Sequence, residues 1–162
     1  MATLYVMIGI PGSGKSTYAK NIPNATVVSS DEIRYELTGD YSNLTKDKQV
    51  FSLLEKRILD LLKAGKDAVY DATNINLTKR RKITAKYSDL AKIVYIYMDT
   101  SLKTALERNK KRERKVPEDV IRSMYRNLKT PSFAYENFNK LIIVNPSGKE
   151  VVNYPKKRVE EE

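Results

Sequence analysis

Five short apolar runs, rich in β-branched and aromatic residues, recur along the chain. They span residues 4–10, 25–28, 68–70, 93–98 and 141–144. Most of them are continuous rather than alternating, which is typical of strands that are buried on both faces. The runs therefore predict the strands of a mainly parallel sheet that is covered by helices.

The segments between these runs carry apolar residues at helical spacing. The clearest places Val50, Leu54, Ile58 and Leu62 on one face and stops at Gly65. The candidate helices are residues 50–62, residues 79–87, residues 102–106 and a segment that begins at Pro117. Strands that alternate with helices predict a doubly wound α/β fold with helices on both faces of the sheet.

The length of 162 residues favours a single domain. We predict that this domain spans residues 1–145. The turn signal Asn-Pro-Ser-Gly at 145–148 predicts a short surface extension over residues 146–162, with a frayed end. No apolar run approaches the roughly 18 residues of a membrane span, and no basic segment precedes residues 4–10. We therefore expect a cytoplasmic protein without a membrane partner.

A glycine-rich segment follows the first predicted strand. Residues 9–16 read G-I-P-G-S-G-K-S, which fits the phosphate-loop pattern G-x-x-x-x-G-K-[ST]. In such a loop the backbone N–H groups bind phosphate oxygens, the lysine reaches the β- and γ-phosphates, and the serine hydroxyl binds Mg²⁺. The alternative is a chance match in an ordinary turn. The residues predicted to bind ATP and Mg²⁺ are Gly9, Pro11, Gly12, Ser13, Gly14, Lys15, Ser16 and Thr17.

Asp31 follows the second predicted strand, where open α/β sheets hold their ligands. Its carboxylate could accept the proton of an attacking hydroxyl. The alternative is helix capping, although Ser29 or Ser30 could cap the helix alone. Arg34 lies three residues on and would share a helical face with Asp31. Together they would suit a substrate that carries both a hydroxyl and a phosphate.

Asp71 ends the third predicted strand, in the place of an acidic residue that holds Mg²⁺ or its waters. The alternative is an Asx turn that closes the strand. Thr73 follows two residues later, and we predict that it contacts the substrate.

The net charge of +10 and the pI of about 9.6 suggest a polyanionic partner such as nucleic acid, or else an ordinary basic surface. The chain contains no histidine and no cysteine. This composition excludes zinc sites built on those residues, a histidine base and a cysteine nucleophile. Carboxylates remain as the proton acceptors for neutral pH.

Basic residues concentrate at residues 108–116, which we call the basic lid. Arg108 and Arg112 are four residues apart, so we expect them to share a helical face. The lid could close over a triphosphate and place an arginine on the transferred group; the alternative is a solvated helix end. A second polyanion surface at residues 79–82 is the less favoured interpretation of that basic run.

Five elements together resemble the 5′-kinase domain of bacteriophage-type polynucleotide kinase, a P-loop kinase. The chain matches from residue 4 to about residue 128. The elements are residues 9–17, D-E-I-R at 31–34, D-A-T-N-I-N at 71–76 followed by two arginines, R-N-K-K-R at 108–112, and V-P-E-D-V-I-R-S-M-Y at 116–125. The last two are the most specific.

This resemblance implies transfer of the ATP γ-phosphate to a 5′-hydroxyl end of DNA or RNA. By match to the motifs, Asp31 is the general base and Arg34 holds the phosphate next to the 5′ nucleoside. Arg112 contacts the donor phosphates from the lid, and Arg108 matches another lid position. In the phage enzyme the acid directly precedes Thr-Asn, whereas Ala72 intervenes here. The competing hypotheses are a small-molecule kinase of the same fold and a non-catalytic nucleotide-binding module.

Overall fold

A computed structural model describes residues 1–156 and contains a six-stranded sheet with the order β2-β3-β1-β4-β5-β6. Strands β1 to β5 pair in parallel, and β6 pairs antiparallel with β5. The strands are β1 (Ala2–Ile8), β2 (Ala25–Ser29), β3 (Asp67–Asp71), β4 (Ala91–Met98), β5 (Lys140–Val144) and β6 (Glu150–Asn153).

Six helices connect the strands of the described chain. They are α1 (Lys15–Lys20), α2 (Ser30–Thr38), α3 (Asp47–Lys63), α4 (Leu77–Tyr87), α5 (Leu102–Lys110) and α6 (Glu118–Asn127). Strands and helices alternate as the apolar pattern predicts, and the sheet is doubly wound and mainly parallel. No helix within residues 1–156 has the length and apolar character needed to span a membrane.

The core lies on both faces of the sheet, which explains why the strand runs are continuous. On one face Leu4 and Val6 of β1 pack with Leu54 and Ile58 of α3. On the other face Met7 of β1 packs in the cluster that includes Ala19 of α1. Helices α2 and α4 also cover the first face. The sheet is therefore covered from both sides, as the predicted architecture requires.

Strand β1 lies between β3 and β4, and the chain leaves these three strands at the same edge of the sheet. In open parallel sheets the ligand crevice forms outside the carboxyl ends of the strands. The glycine-rich loop after Ile8 and the carboxylate of Asp71 therefore lie at one edge.

Part of the predicted surface extension at residues 146–162 is a strand that the sequence did not predict. Glu150–Asn153 form β6, which pairs along β5 after the turn at 145–148. The Tyr18 hydroxyl of α1 also donates a hydrogen bond to the Glu150 carboxylate. All four residues of β6 are exposed, so no apolar run identified the strand. The frayed end that we predicted falls partly on residues 157–162, which lie outside the described residues.

Arg80 belongs to the basic run at 79–82 but is fully buried. Its guanidinium donates to the Glu136 carboxylate at 2.8 and 3.2 Å and to the Asn74 carbonyl at 3.0 Å. Glu136 is buried as well. The ion pair joins α4 to the segment before β5, so Arg80 has a structural role and does not form part of a polyanion surface.

We predict that Glu136→Gln lowers the free energy of unfolding by about 3 kcal/mol or more, because it leaves the buried Arg80 charge without a countercharge. Urea unfolding followed by circular dichroism measures this change. The matched control is Asp60→Asn, which removes the partner of Lys56 in an exposed pair. Exposed pairs contribute about 1 kcal/mol or less. Equal losses in the two variants would contradict the prediction.

Candidate active site

The phosphate loop (residues 9–16) connects β1 to α1 and requires two left-handed residues. Gly12 has φ +84° and Gly14 has φ +85°, a region that disfavours any residue with a Cβ. Gly12 also lies against α5: a Cβ there would be 2.4 Å from the carbonyl oxygen of Ala105. The loop therefore needs glycine at position 12 for both its backbone angle and its packing.

The loop between β3 and α4 supports the phosphate loop by hydrogen bonds. The Gly9 N–H donates to the Thr73 carbonyl at 3.0 Å, and the Asn74 side chain donates to the Met7 carbonyl at 2.8 Å. Thr100, which follows β4, donates a further hydrogen bond to the Ser13 carbonyl at 3.4 Å. Thr73, which we predicted as a substrate contact, thus has a structural role through its backbone. The contact of its side chain with substrate stays a prediction.

Ser16 and Asp71 form an oxygen pair at the start of α1. The Ser16 hydroxyl donates to Asp71 Oδ2 at 3.1 Å, and Lys15 Nζ lies 3.5 Å from Asp71 Oδ1. Asp71 is buried, and its Oδ1 accepts no hydrogen bond within residues 1–156. A hydroxyl and a carboxylate oxygen are ligands that Mg²⁺ prefers, together with phosphate oxygens and waters. This pair therefore fits Mg²⁺ bound with a triphosphate.

Asp31 lies in the first turn of α2 but does not cap the helix. The Ser29 hydroxyl has that role, because it accepts the Glu32 N–H at 3.3 Å. About half of the Asp31 side chain is exposed. Its Oδ1 accepts a hydrogen bond from Arg34 Nη1 at 2.8 Å, and Oδ2 accepts none within the described residues. Asp31 Oδ2 is therefore available to a proton donor from the cleft.

Arg34 is buried between two carboxylates. Besides Asp31, it donates from Nε and Nη2 to the two oxygens of Asp47 at 2.8 and 3.1 Å. Burial lowers the pKa of the Arg34 guanidinium, but the hydrogen bonds and charges of Asp47 and Asp31 outweigh burial and raise it. A guanidinium has five N–H groups, and these three bonds leave one N–H on each terminal nitrogen. Arg34 can therefore bind a phosphate without releasing either carboxylate.

Asp47 is a residue that sequence reasoning missed. It is the first residue of α3, where an acidic residue is commonly explained by the helix dipole. It lies thirteen positions after Arg34. No local spacing connects the two, so only the packing of α2 against α3 reveals the pair.

Helix α5 ends at Lys110, so Arg112 lies beyond it in the basic lid. The prediction that Arg108 and Arg112 share a helical face is wrong. The reason is a side-chain clamp: Asn109 donates to the Val116 carbonyl at 2.8 Å and accepts the Val116 N–H at 3.0 Å. The clamp turns residues 110–115 away from the helix axis.

The arginines of the basic lid have different surroundings. Arg108 donates to the carbonyls of Gly12 at 3.5 Å and Pro146 at 3.1 Å, which places it against the phosphate loop. Arg114 lies with its guanidinium carbon 3.5 Å from the centre of the Tyr41 ring. Arg112 lines a cavity of about 510 Å³ together with Tyr41 and Arg114.

One cleft brings together three of the predicted residues, whereas Lys15, Arg34 and Thr73 do not line it. A cavity of about 690 Å³ is lined by Ser16, Asp31 and Asp71, with Arg114 of the basic lid beside them. The candidate base therefore faces the same space as the candidate Mg²⁺ ligands. Arg112 does not line this cavity, and Arg114, which sequence reasoning did not single out, does. Both belong to the same basic run, and no spacing pattern distinguishes them.

The family model described as an AAA domain matches residues 4–131. Two relatives are similar to this chain in sequence over most of its length. A candidate bifunctional polynucleotide kinase/RNA ligase of Autographa californica nuclear polyhedrosis virus is 36% identical over 154 residues, which cover 82% of this chain and 22% of that protein. The L-seryl-tRNA(Sec) kinase of Methanococcus maripaludis is 30% identical over 146 residues, which cover 82% of this chain and 54% of that protein.

A chain in the structure of the Pnkp1/Rnl/Hen1 RNA repair complex has the same fold. It superposes with a TM-score of 0.70 at 24% identity, over 78% of this chain and 44% of that one. The chain described here thus spans only part of the length of the proteins that it matches. The family model covers most of the chain, from β1 to just after α6. The chain therefore belongs to this AAA domain family, and it has the P-loop kinase fold.

Proposed function

We propose that this protein transfers the γ-phosphate of ATP to the 5′-hydroxyl end of a DNA or RNA strand. One observation carries the proposal: Asp31, whose Oδ2 accepts no hydrogen bond within residues 1–156, lines the same cleft as Ser16 and Asp71 and binds Arg34 through Oδ1. This arrangement brings a proton acceptor and two candidate Mg²⁺ ligands to one cleft, with an arginine bonded to the proton acceptor.

Two further observations support a nucleic-acid acceptor. The viral relative at 36% identity is described as a candidate polynucleotide kinase. The net charge of +10 favours a polyanion over a neutral sugar. A non-catalytic nucleotide-binding module would need no carboxylate with the exposure and orientation of Asp31.

The donor phosphates would bind to the backbone N–H groups of the phosphate loop and to Lys15. Ser16 and Asp71 would hold Mg²⁺, which supplies positive charge at the β- and γ-phosphate oxygens when it is bound. Lys15 already neutralises part of the Asp71 charge. Asp71 Oδ1, which accepts no hydrogen bond within residues 1–156, could still accept one from a metal-bound water.

At the acceptor side, Asp31 Oδ2 takes the proton of the 5′-hydroxyl as the hydroxyl oxygen attacks the γ-phosphorus. The new O–P bond forms while the bond between the γ-phosphorus and the β,γ-bridging oxygen breaks, and ADP leaves. Arg112, with Arg114 beside it, balances the charge of the transferred group when the basic lid closes. Arg108 holds the end of α5 against the phosphate loop.

Arg34 would bind the phosphate on the 3′ side of the accepting nucleoside. One of its two remaining N–H groups is on Nη1, the nitrogen that binds Asp31, so a phosphate bound there would orient the 5′-hydroxyl toward Oδ2. Thr73 stays a predicted contact of the same substrate. This assignment makes a nucleoside 3′-monophosphate the smallest good acceptor.

A second candidate reaction follows from the archaeal relative, which is a kinase of L-seryl-tRNA(Sec). The acceptor would then be a hydroxyl on an aminoacyl group that a tRNA carries. Both reactions need a carboxylate base and a polyanion surface. They differ in the hydroxyl, so an assay with a 5′-hydroxyl oligonucleotide and with seryl-tRNA separates them.

We predict that Gly12→Ala abolishes ATP binding, because its Cβ would meet the Ala105 carbonyl and strain a left-handed residue. Calorimetric titration with an ATP analogue measures the binding. The control is Gly65→Ala, which has φ +74° and nothing within 4 Å of the added Cβ. Binding retained by Gly12→Ala would contradict the assignment of the donor site.

Asp31→Asn should keep ATP binding and lose at least about a hundredfold in kcat, because an amide cannot accept the proton. The control is Glu32→Gln, one position further along α2, which removes a carboxylate of the same cleft without removing the base. Rapid-quench measurement of a single turnover separates the chemical step from product release. A wild-type rate in Asp31→Asn would exclude Asp31 as the base.

The decisive comparison uses a nucleoside, its 3′-monophosphate and a short oligonucleotide as acceptors. In the wild type we expect kcat/KM to rise strongly with the 3′-phosphate. Arg34→Ala should lower this preference by about ten- to a hundredfold, the effect of a charged hydrogen bond. Equal use of nucleoside and 3′-monophosphate by the wild type, or phosphorylation of a sugar alone, would contradict the proposed function.

A further inference from the structure

The three charged side chains at the acceptor site, Arg34, Asp31 and Asp47, have a net negative charge. Arg34 contributes one positive charge, and Asp31 and Asp47, which both bind it, contribute two negative charges. Asp31 must stay ionised to accept a proton. A phosphate at Arg34 would therefore meet three side chains with a net negative charge, and a further cation close to Arg34 would favour its binding.

Lys79 is a cation that has no role in the proposed mechanism. It lies in the first turn of α4, near the edge of the sheet where β3 ends. Its Nζ lies 3.8 Å from the centre of the Phe51 ring and 5.8 Å from the centre of the Tyr70 ring. Within residues 1–156 its ammonium forms no ion pair and no hydrogen bond. A half-buried ammonium that contacts mainly aromatic rings is incompletely satisfied.

The position of Phe51 places this ammonium near Asp47, the carboxylate that holds Arg34. Phe51 is four residues after Asp47 on α3, so the two side chains are neighbours on one helical face. Asp47 in turn holds Arg34 with two hydrogen bonds. One turn further along α3, Glu55 pairs with Lys86 of α4 at 2.8 Å. Helices α3 and α4 thus run in the same direction along this contact, with Lys79 at the end of α3 that carries Asp47.

The electrostatic surroundings agree with this placement. Burial lowers the pKa of the Lys79 ammonium to about 8, while attraction by Glu55 and Asp47 partly opposes that change. The phenol of Tyr70 is the titratable group on β3 that faces it. At neutral pH most Lys79 side chains are charged. With Lys79 included, the group that it forms with Arg34, Asp31 and Asp47 has no net charge, which favours a phosphate more than a net negative group does.

We propose that Lys79 is a second phosphate contact of the acceptor site, which binds a backbone phosphate of the nucleic-acid acceptor together with Arg34. This inference rests on the proposed function. It assigns a substrate-binding role to a residue that a structural interpretation would treat only as a cation packed on Phe51. The two interpretations predict different activities for a variant that keeps the positive charge at position 79. They also predict different activities toward an acceptor that carries no phosphate.

The first test compares Lys79→Met with Lys79→Arg in the full chain. The quantity measured is the ratio of kcat/KM for a nucleoside 3′-monophosphate to kcat/KM for the plain nucleoside. Lys79→Met should lower this ratio by about tenfold or more, because it removes a charged contact to the phosphate. Lys79→Arg should retain most of it. The control is Lys82→Met, which removes an exposed charge from the same helix and should leave the ratio unchanged.

The second test measures oligonucleotide binding at several salt concentrations, by fluorescence anisotropy of a labelled single strand. Each phosphate contact on a single strand contributes about 0.7 to the slope of log K against log salt. Lys79→Met should reduce the slope by about that amount, and Lys82→Met should reduce it by less. In the wild type, KM for the 3′-monophosphate should rise as pH increases through about 8, because the ammonium loses its charge. That rise should be absent in Lys79→Arg.

An unchanged ratio and an unchanged slope in Lys79→Met would overturn the inference. So would a lowered thermal midpoint with normal selectivity in the folded fraction, which shows a packing role alone. If Lys79→Met does not fold, Lys79→Gln and the wild-type pH profile replace it, and a flat profile through about pH 8 overturns the inference equally. A wild type that prefers no 3′-phosphorylated acceptor contradicts the proposed function itself, which is a separate result.

Discussion

The parallel pairing of β1 with β3 is the constraint on which the site depends. It brings the end of β3 beside the loop that follows β1, so Asp71 meets Ser16 and Lys15 although more than fifty positions separate them. The same pairing lets the loop after β3 support the phosphate loop, through the Thr73 carbonyl and the Asn74 amide. The phosphate loop is thus fixed by contacts with β3 as well as by its own glycines, and α2 and α3 extend the cleft from this fixed edge.

The sequence predicts those parts of the molecule that are encoded locally. The phosphate loop, the first five strands and the pairing of Asp31 with Arg34 each depend on a spacing of a few residues, and the structure contains them. Asp47 could not be predicted, because its partner lies on another helix and no spacing connects the two. The end of α5 at Lys110 could not be predicted either, since it depends on a contact between Asn109 and Val116. Strand β6 could not be predicted because Val151 and Val152 form too short an apolar run, and both are exposed.

The distribution of charge distinguishes the surface of this protein from its cleft. The chain as a whole carries a charge of +10, but the cleft contains acidic and basic side chains in similar number, and Asp47 binds Arg34 near Asp31. Surface charge attracts a polyanion from a distance and weakens with salt, whereas the paired charges near the cleft act only on groups in contact. Attraction and selection are therefore functions of different residues. Arg80, although it belongs to a basic run, has neither function, because it is neutralised in the core by Glu136.

The Asn109 clamp has a consequence for the entropy of binding. The two hydrogen bonds to Val116 hold both ends of residues 110–115, which carry five basic side chains and one acidic one. A short closed loop has far fewer conformations than a free segment of the same length, so it loses less conformational entropy when it binds an anion. Preorganisation of this kind strengthens binding without any added contact. A single buried amide thus makes the positive charge of the lid more effective than the same residues would be on a flexible tail.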